Sequence, residues 1–518
     1  MPSAQQWTLV ATILGSSLTF IDATVVNVAL PALQADLHAT ITDIQWVIEA
    51  YALLLGSLIL VGGSLGDQFG RRRIFLAGAL VFTLASVACG LATSTPELIV
   101  ARAIQGAGAA FLVPGSLAII TATYDDATRG GAIGTWSGFS AITSAIGPVI
   151  GGWLIEHISW RAIFFLNVPL AVVVVVLSLR FMSESRDDTR GDRVDWTGAT
   201  LAVIGLGGIV YGLLEGPRPG VNRSLVLTAI ATGVAAVIAF VSIERRAAAP
   251  MLPMGLFRSR TFTLANVLTL LLYGALGTML WLVPLNLIQV QHYTATAAGA
   301  AFLPFPILMF LLSRWSGGLV GRVGSRLPLT VGPIVAAVGL ALYARPAVGG
   351  SYWTTFFPAV LVGGFGMSIV VAPLTTTAMT AVATQHAGVA SGVNNAVARV
   401  AGLLAIAAFG IVLVTAFDTR VGPALDQLRL WPPARAAVDR ELLKLAGAEI
   451  DAVVEPTQRA RVRRAIDEAF VSAFRLVMLQ TGVLALAAAA AGALIRAQPL
   501  APDAGRSPTA RLPETTSR

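Results

Sequence analysis

Apolar runs long enough to cross a bilayer recur from one end of this chain to the other, and short arginine clusters separate them. This pattern constrains the fold more than any other feature of the sequence. A helix needs about 20 mostly apolar residues to span the hydrocarbon core. In lipid every backbone polar group must be satisfied within the protein, which leaves helices and closed barrels as spanning structures. Of 518 residues 56% are hydrophobic and 12% charged, roughly half the charged share of a soluble domain. Soluble packing cannot hide that much apolar surface, so the chain reads as an all-α polytopic membrane protein.

About fourteen spans are expected, near 7–30, 44–66, 74–93, 96–120, 131–154, 161–182, 196–214, 224–243, 262–284, 297–313, 328–345, 354–378, 388–415 and 471–494. No basic residue precedes the first run, since the first in the chain is Arg71, and the run is too long for a signal-peptide core. It reads as a retained span.

The arginines set the orientation. Arg71, Arg72 and Arg73 follow span two; Arg129 follows span four; Arg186, Arg190 and Arg193 follow span six. Arg245, Arg246, Arg258 and Arg260 follow span eight, Arg314, Arg322 and Arg326 follow span ten, and Arg496, Arg506, Arg511 and Arg518 follow span fourteen. Each cluster comes after an even-numbered span, which puts both termini in the cytoplasm. The same rule accounts for the net charge of +8: the basic residues form short inter-span clusters, not the aromatic-interleaved face of a nucleic-acid binder. Residues 416–470 carry arginines on the outer side, but the segment is long and also acidic (Asp439, Glu441, Glu449, Asp451, Glu455), and the rule weakens for long loops. The pattern of Ala436–Leu445 suggests short amphipathic helices in an external cap.

Two loops echo each other. Gly63, Leu65, Gly70 and Arg72 after span two match Gly317, Leu319, Gly324 and Arg326 after span ten, and Gly106-x-Gly108 with Pro114 is echoed by Gly364-x-Gly366 with Pro373. Spans one to six and nine to fourteen therefore read as two copies. The expected organisation is a six-helix bundle over 1–185, two inserted spans over 186–260, and a second bundle over 261–495 with 416–470 as a long extracytoplasmic loop. A disordered cytoplasmic tail is expected over 496–518. Duplicated halves around a central site are a transporter architecture.

Energy sources narrow quickly. A Walker loop needs Gly-x4-Gly-Lys-Ser/Thr, and the only lysine, Lys444, stands between Leu443 and Leu445. The Gly-x-Gly pairs lie in apolar helices with no preceding strand, so they are not dinucleotide sites. Cys89 is the single cysteine, and His38, His157, His292 and His386 are far apart, which leaves no metal site. No cofactor and no ATP are expected, only an ion gradient or passive flow. Paired catalytic carboxylates, a Ser/His/Asp set and rings of like charge are also missing, which argues against a membrane enzyme and a channel.

Charges inside spans are costly and functional by default. The candidates are Asp22, Glu49, Arg102 and Arg399. Helix rise places Asp22 about 13 Å below Pro31, Glu49 roughly 8 Å inside its span and Arg102 about 9 Å from Pro96. Two acids and an arginine thus share the outer half of the first bundle. A carboxylate in low dielectric can exchange its proton for a cationic substrate, since each neutralises the same charge. Glu49 is also near enough to the span's end to be solvated. In span five, Gly134-x3-Gly138 and Ala141-x3-Ala145 are followed by Gly147-Pro148-x2-Gly151-Gly152. Such small residues permit close helix approach, and Pro148 bends the helix and frees a carbonyl.

The chain resembles the major facilitator superfamily, specifically the fourteen-span drug:proton antiporters of the EmrB/QacA type. The resemblance rests on Asp22-Ala-Thr-Val-Val-Asn27-Val-Ala-Leu-Pro31, on Gly63 to Arg73, and on Arg102-Ala-Ile-Gln105-Gly106-Ala-Gly108. It rests too on Gly147-Pro148-Val-Ile-Gly151-Gly152 and on Trp160 to Pro169. It implies proton coupling and substrate binding at Asp22 and Arg102, with Glu49 where many relatives carry an acid. It implies a cytoplasmic gate of Gly63, Asp67, Gly70, Arg71 and Arg72, and a sealing helix around Gly147, Pro148, Gly151 and Gly152. Three departures stand out: Ala162 replaces a usual tryptophan, Gly321 stands opposite Asp67, and no acid is evident deep in spans nine to thirteen. That last absence speaks against a second proton site and export of multivalent cations.

The function expected is proton-coupled export of hydrophobic or cationic small molecules across the cell (inner) membrane by alternating access, with export of one metabolite, siderophore or lipid as the alternative. Asn27, Gln105, Trp136, Phe139, Tyr273, Met279, Trp281 and Arg399 are the candidate cavity lining, of which the apolar and aromatic members would make an adaptable site. Protons and lipid are the expected partners, joined by a periplasmic adaptor if the source has two membranes.

Overall fold

The computed structural model describes residues 3–186, 195–218, 220–247, 250, 252–382, 387–451 and 454–495. Arg190, Arg193, His386 and the 496–518 tail lie outside them. Among the described residues regular structure is helical, apart from one isolated bridge between Ala347 and Gly349. The first half comprises α1 (Ala4–Asp36), α2 (Ile41–Phe69), α3 (Arg71–Leu91), α4 (Thr95–Thr123), α5 (Asp126–His157) and a span made of α6 (Ala162–Phe165) and α7 (Asn167–Phe181). Next come α8 (Trp196–Glu215) and α9 (Arg223–Glu244). The second half has α10 (Arg260–Leu285), then α11 (Ala295–Ala301) and α12 (Pro304–Gly317) as one broken span, and the short α13 (Leu319–Val323). It ends with α14 (Arg326–Leu342), α15 (Phe356–Thr380), α16 (Ala387–Gln427), α17 (Pro432–Glu441) and α18 (Pro456–Ala493). Thirteen described stretches are long and apolar enough to cross a membrane, and α14 is a shorter fourteenth.

Local chemistry sets the outer turn between α1 and α2. The Thr40 hydroxyl accepts from the Asp43 amide while the Asp43 carboxylate accepts from the Thr40 amide at 2.9 Å, a reciprocal cap that starts α2. Between α11 and α12 the helix breaks where Pro304, which lacks an amide hydrogen, cannot extend the ladder.

Residues 416–470 depart from the expected loop. α16 continues to Gln427 and α18 already begins at Pro456. Phe417, Val421 and Leu425 on one helix, and Val462, Ile466 and Phe470 on the other, recur at helical spacing and are buried, so the two spans extend outward as a helical pair. Their outer faces carry the charges that dilute the apolar signal. Residues 428–451 stand beyond as a cap, with α17 and a 3-10 turn at Leu442–Gly447.

The duplication shows in how the helices cross. A Cβ on Gly108 of α4 would stand 2.5 Å from the Phe82 amide nitrogen and 3.1 Å from the Gly78 carbonyl of α3. A Cβ on Gly366 of α15 would meet the Ala336 nitrogen and, at 2.9 Å, the Gly332 carbonyl of α14. Gly78 with Gly332, and Phe82 with Ala336, are separated by the same offset as Gly70 and Gly324. Those last two glycines turn the chain into α3 and α14 with φ of +106° and +74°, which L side chains rarely adopt. Gly108→Ala and Gly366→Ala are each expected to lower stability by about 1–3 kcal/mol through overpacking against backbone, read as matching falls in the thermal midpoint of the purified protein.

The two halves meet along two flanks. On one, α5 packs on α11; on the other, α2 packs on α16. On the α5 flank the tight approaches cluster at the outer end, whereas a Cβ on Gly131, Gly134 or Gly138, nearer the arginine-bearing end, would meet nothing within 4 Å. The outer end is closed.

Candidate coupling site and outer closure

Asp22 lies in the middle of α1, and Arg102 and Gln105 occupy adjoining turns of α4. Arg102 Nη1 donates to Asp22 Oδ2 at 2.6 Å and to Gln105 Oε1 at 2.7 Å, and Gln105 Nε2 donates to Asp22 Oδ1 at 2.9 Å. Arg102 Nε reaches the Val47 carbonyl of α2 at 3.1 Å, and its guanidinium lies 4.2 Å from the Tyr51 ring centre. Asn167, the first residue of α7, approaches Asp22 Oδ1 at 3.5 Å and donates to Ser86 Oγ at 3.0 Å. Asp22 is 3% exposed and Arg102 1%. Five helices of the first bundle, α1, α2, α3, α4 and α7, thus converge on one closed network around an ion pair. A buried charge is tolerable only when paired and hydrogen-bonded, and each member here supplies that to another.

Glu49 is not part of this network. It is 0% exposed, and neither carboxylate oxygen has a hydrogen-bond donor. The reading that it is solvated near the end of its span is corrected: α2 starts at Ile41, and α16 covers that face. Arg399 is half-buried on α16 with its Cβ 3.6 Å from a Cβ built on Gly56, and it stands within electrostatic reach of Tyr51 and Tyr273.

The expected cavity lining divides. Gln105, Met279 and Trp281 are fully packed, which corrects their placement in a cavity: Gln105 serves Asp22, and the other two belong to the apolar core of the second half. Trp136 is buried as well, donating to Ser16 Oγ at 3.0 Å. Phe139 is 50% exposed. Asn27 and Tyr273 are half-buried, and Asn27 donates back to the Ala23 carbonyl at 3.0 Å.

The Gly-Pro-x2-Gly-Gly stretch of α5 touches different partners with adjacent faces. A Cβ on Gly147 would collide with Thr24 Oγ1, and one on Gly151 would stand 2.8 Å from Val25 Cγ1. Both neighbours lie within one turn of Asp22. A Cβ on Gly152 would stand 2.5 Å from the Ala295 carbonyl oxygen, and one on Gly299 would collide with the Pro148 carbonyl. Glu156 completes this outer closure by accepting from the Thr296 amide at 3.0 Å and its hydroxyl at 2.6 Å, at the N-terminus of α11. Gly299, Thr296 and Glu156 were not visible as a site in the sequence, because their partners lie in the other half.

At the opposite end Asp67 binds Arg71 through contacts of 3.0 and 2.9 Å. Gly63 faces Pro114 of α4. Glu184, which sequence reading missed, caps α3: its carboxylate accepts from the Arg72 amide at 3.0 Å and the Arg73 amide at 3.3 Å, directly against Gly70. An acid just after a span and facing a helix N-terminus is the signal that could have found it. Arg72 donates to the Leu179 carbonyl at 3.1 Å.

Residues 12–406 match the family model described as Major Facilitator Superfamily. The chain is 33% identical over 489 residues to the multidrug resistance protein Stp of Mycobacterium tuberculosis, covering 92% of this chain and 90% of that protein. It is 31% identical over 498 residues to the tetracenomycin C resistance and export protein of Streptomyces glaucescens, covering 94% and 91%. The structure is similar to a bacterial homologue of the human lysosomal transporter Spinster, crystallised inward-facing and unoccupied, with a TM-score of 0.66 at 16% identity over 96% of this chain and 100% of that one.

Proposed function

The chain belongs to the Major Facilitator Superfamily, and on that footing we propose that it is a proton-coupled exporter of hydrophobic or cationic small molecules in the cell membrane, working by alternating access. The observation that carries this reading is the double contact of Gly147–Gly152. One face of that stretch rests on the turn of α1 that holds Asp22, and the next face forms the outer closure with α11. Protonation of Asp22 releases Arg102 from its ion pair and leaves a guanidinium to be satisfied by Gln105, Val47 and the Tyr51 ring. The resulting shift of α1 is passed to α5, and so to the closure. A proton taken up at Asp22 thereby changes which side of the protein is open.

The resistance and export functions named for the two relatives support a drug-like cargo. By the positive-inside rule the end that bears the arginine clusters faces the cytoplasm, where an exporter loads. Protons are the coupling partner, and in a source with two membranes the outer face is where a periplasmic adaptor would dock. Cells expressing the protein are expected to pump out a cationic dye when energised and to stop when a protonophore collapses the gradient. Efflux that continues under the protonophore would remove the coupling, and absence of dye efflux would remove the broad cargo class.

A further inference from the structure

We infer that Glu49 is a proton-binding latch of the outer seam between the halves, distinct from the Asp22 site. The inference rests on the alternating-access reading. Gln45, Glu49, Leu53, Gly56 and Leu60 recur at helical spacing on α2, and this stripe lies along α16. Gln45 Nε2 donates to the Ile406 carbonyl at 3.3 Å, and a Cβ on Gly410 would collide with the Gln45 amide. Leu53 packs with Leu403 and Ala407, Gly56 faces Arg399, and Leu60 faces Gly392. Glu49 therefore stands inside the seam, in its outer half.

A carboxylate closed into that seam without a donor is tolerable only if it carries a proton, since burying it ionised and unpaired costs many kcal/mol. The charged or titratable groups on the elements around it do not substitute. Asp22 and Arg102 bind each other, Glu215 of α8 is held by Trp46 and Arg218, Asp43 pairs with Arg218, Tyr211 of α8 packs on Trp46, and Asp418 of α16 borders the outer cavity, whose lining does not include Glu49. Lys444 of the cap is held by Glu441 and Glu449, and neither Arg399 nor Tyr51 bonds to Glu49. A cavity of about 250 Å³ lies one turn further out, lined by Thr42, Gln45, Arg218, Gly410, Val414 and Asp418, and gives protons a route from the outer face as far as Gln45. When the halves part on the outside, Glu49 meets water and ionises. Closing the seam then requires it to take up a proton from the outer medium.

This gives a quantitative signature. A closure that takes up one proton weakens tenfold per unit of rising pH once the open form is ionised, above about pH 4.3 for a water-exposed glutamate. Spin labels at Thr42→Cys and Val414→Cys, which face the same cavity, measure the seam in nanodiscs; the one native cysteine, Cys89, is buried and stays unlabelled. In the otherwise native protein the short-distance population is expected to fall as pH rises. In Glu49→Gln the slope of the logarithm of the closed-to-open ratio should be shallower by about one decade per pH unit, with the seam held shut at high pH. Glu49→Asp should restore the slope, which separates titration from simple repacking. Equal slopes in the native protein and Glu49→Gln, or a native seam that ignores pH, would overturn the latch. Dye efflux is scored separately: a protein that exports no dye yet shows the Glu49-dependent slope loses the export reading and keeps the latch.

Discussion

Replacing Asp22 with asparagine is expected to leave a folded protein that no longer couples efflux to the proton gradient. Asparagine keeps one carbonyl oxygen to accept from Arg102, while its amide nitrogen stands where Asp22 Oδ1 now accepts from Gln105 Nε2, so the network keeps its shape with one hydrogen bond lost. What is lost is the charge that balances Arg102 and the group that binds the proton. Removing one partner of a buried pair costs about 3–5 kcal/mol when the other charge is left uncompensated. The neighbouring Gln105 acceptor at 2.7 Å and the Tyr51 ring reduce that cost here. Gradient-driven efflux should fall on the order of a hundredfold, the scale set by losing a positioned proton-transfer group, while dye binding in the unenergised protein persists. Initial efflux rates beside equilibrium dye binding check both halves of this expectation. Equal loss of binding and efflux would assign Asp22 to cargo recognition alone.

The second large effect is expected at the outer closure. In Gly152→Leu the new Cβ would lie 2.5 Å from the Ala295 carbonyl oxygen, a backbone atom that cannot rotate away. The clash exists only while the outer end is shut. Overpacking of about 1–3 kcal/mol applied to that state alone shifts the closed-to-open ratio by roughly 5- to 150-fold. The variant should fold, rest outward-open, and lose most of its efflux. Gly138→Ala on the same helix is the internal control: its Cβ meets nothing within 4 Å, so transport and stability should change little. Spin-label distances across the α5–α11 end, together with efflux, separate the two outcomes. Equal damage from both substitutions would mean that α5 tolerates no added volume anywhere, and would remove the specific role of Gly152.

The parts legible in the sequence are those fixed by a single element and its solvent. Lipid demands long apolar helices, so the number of spans could be read directly. The repeat was legible because Gly70 and Gly324 are needed by the backbone itself, whatever packs around them. Asp22 and Arg102 stood out because charge inside a span is rare, and the structure brings them together. What could not be read was helical phase against a distant partner. Whether Glu49 faces water or α16 depends on a contact some 350 residues away in sequence, and no local pattern encodes it. The same applies to Gln105, Met279 and Trp281, whose polar, apolar and aromatic side chains suggested a cavity although their faces are packed. The closure by Gly299, Thr296 and Glu156 was hidden for a third reason: each is unremarkable alone, and only the pairing of the halves gives it a role.

Exchange in proteoliposomes tests the central claim most directly. Purified protein in vesicles with an acidic lumen is offered a permanently charged cationic dye from outside, and luminal pH and dye uptake are followed together. Coupled antiport predicts that dye enters as the lumen turns alkaline, with both signals lost in Asp22→Asn. Dye entry with no change in luminal pH, or exchange that survives unaltered in Asp22→Asn, would contradict proton coupling through the Asp22–Arg102 pair.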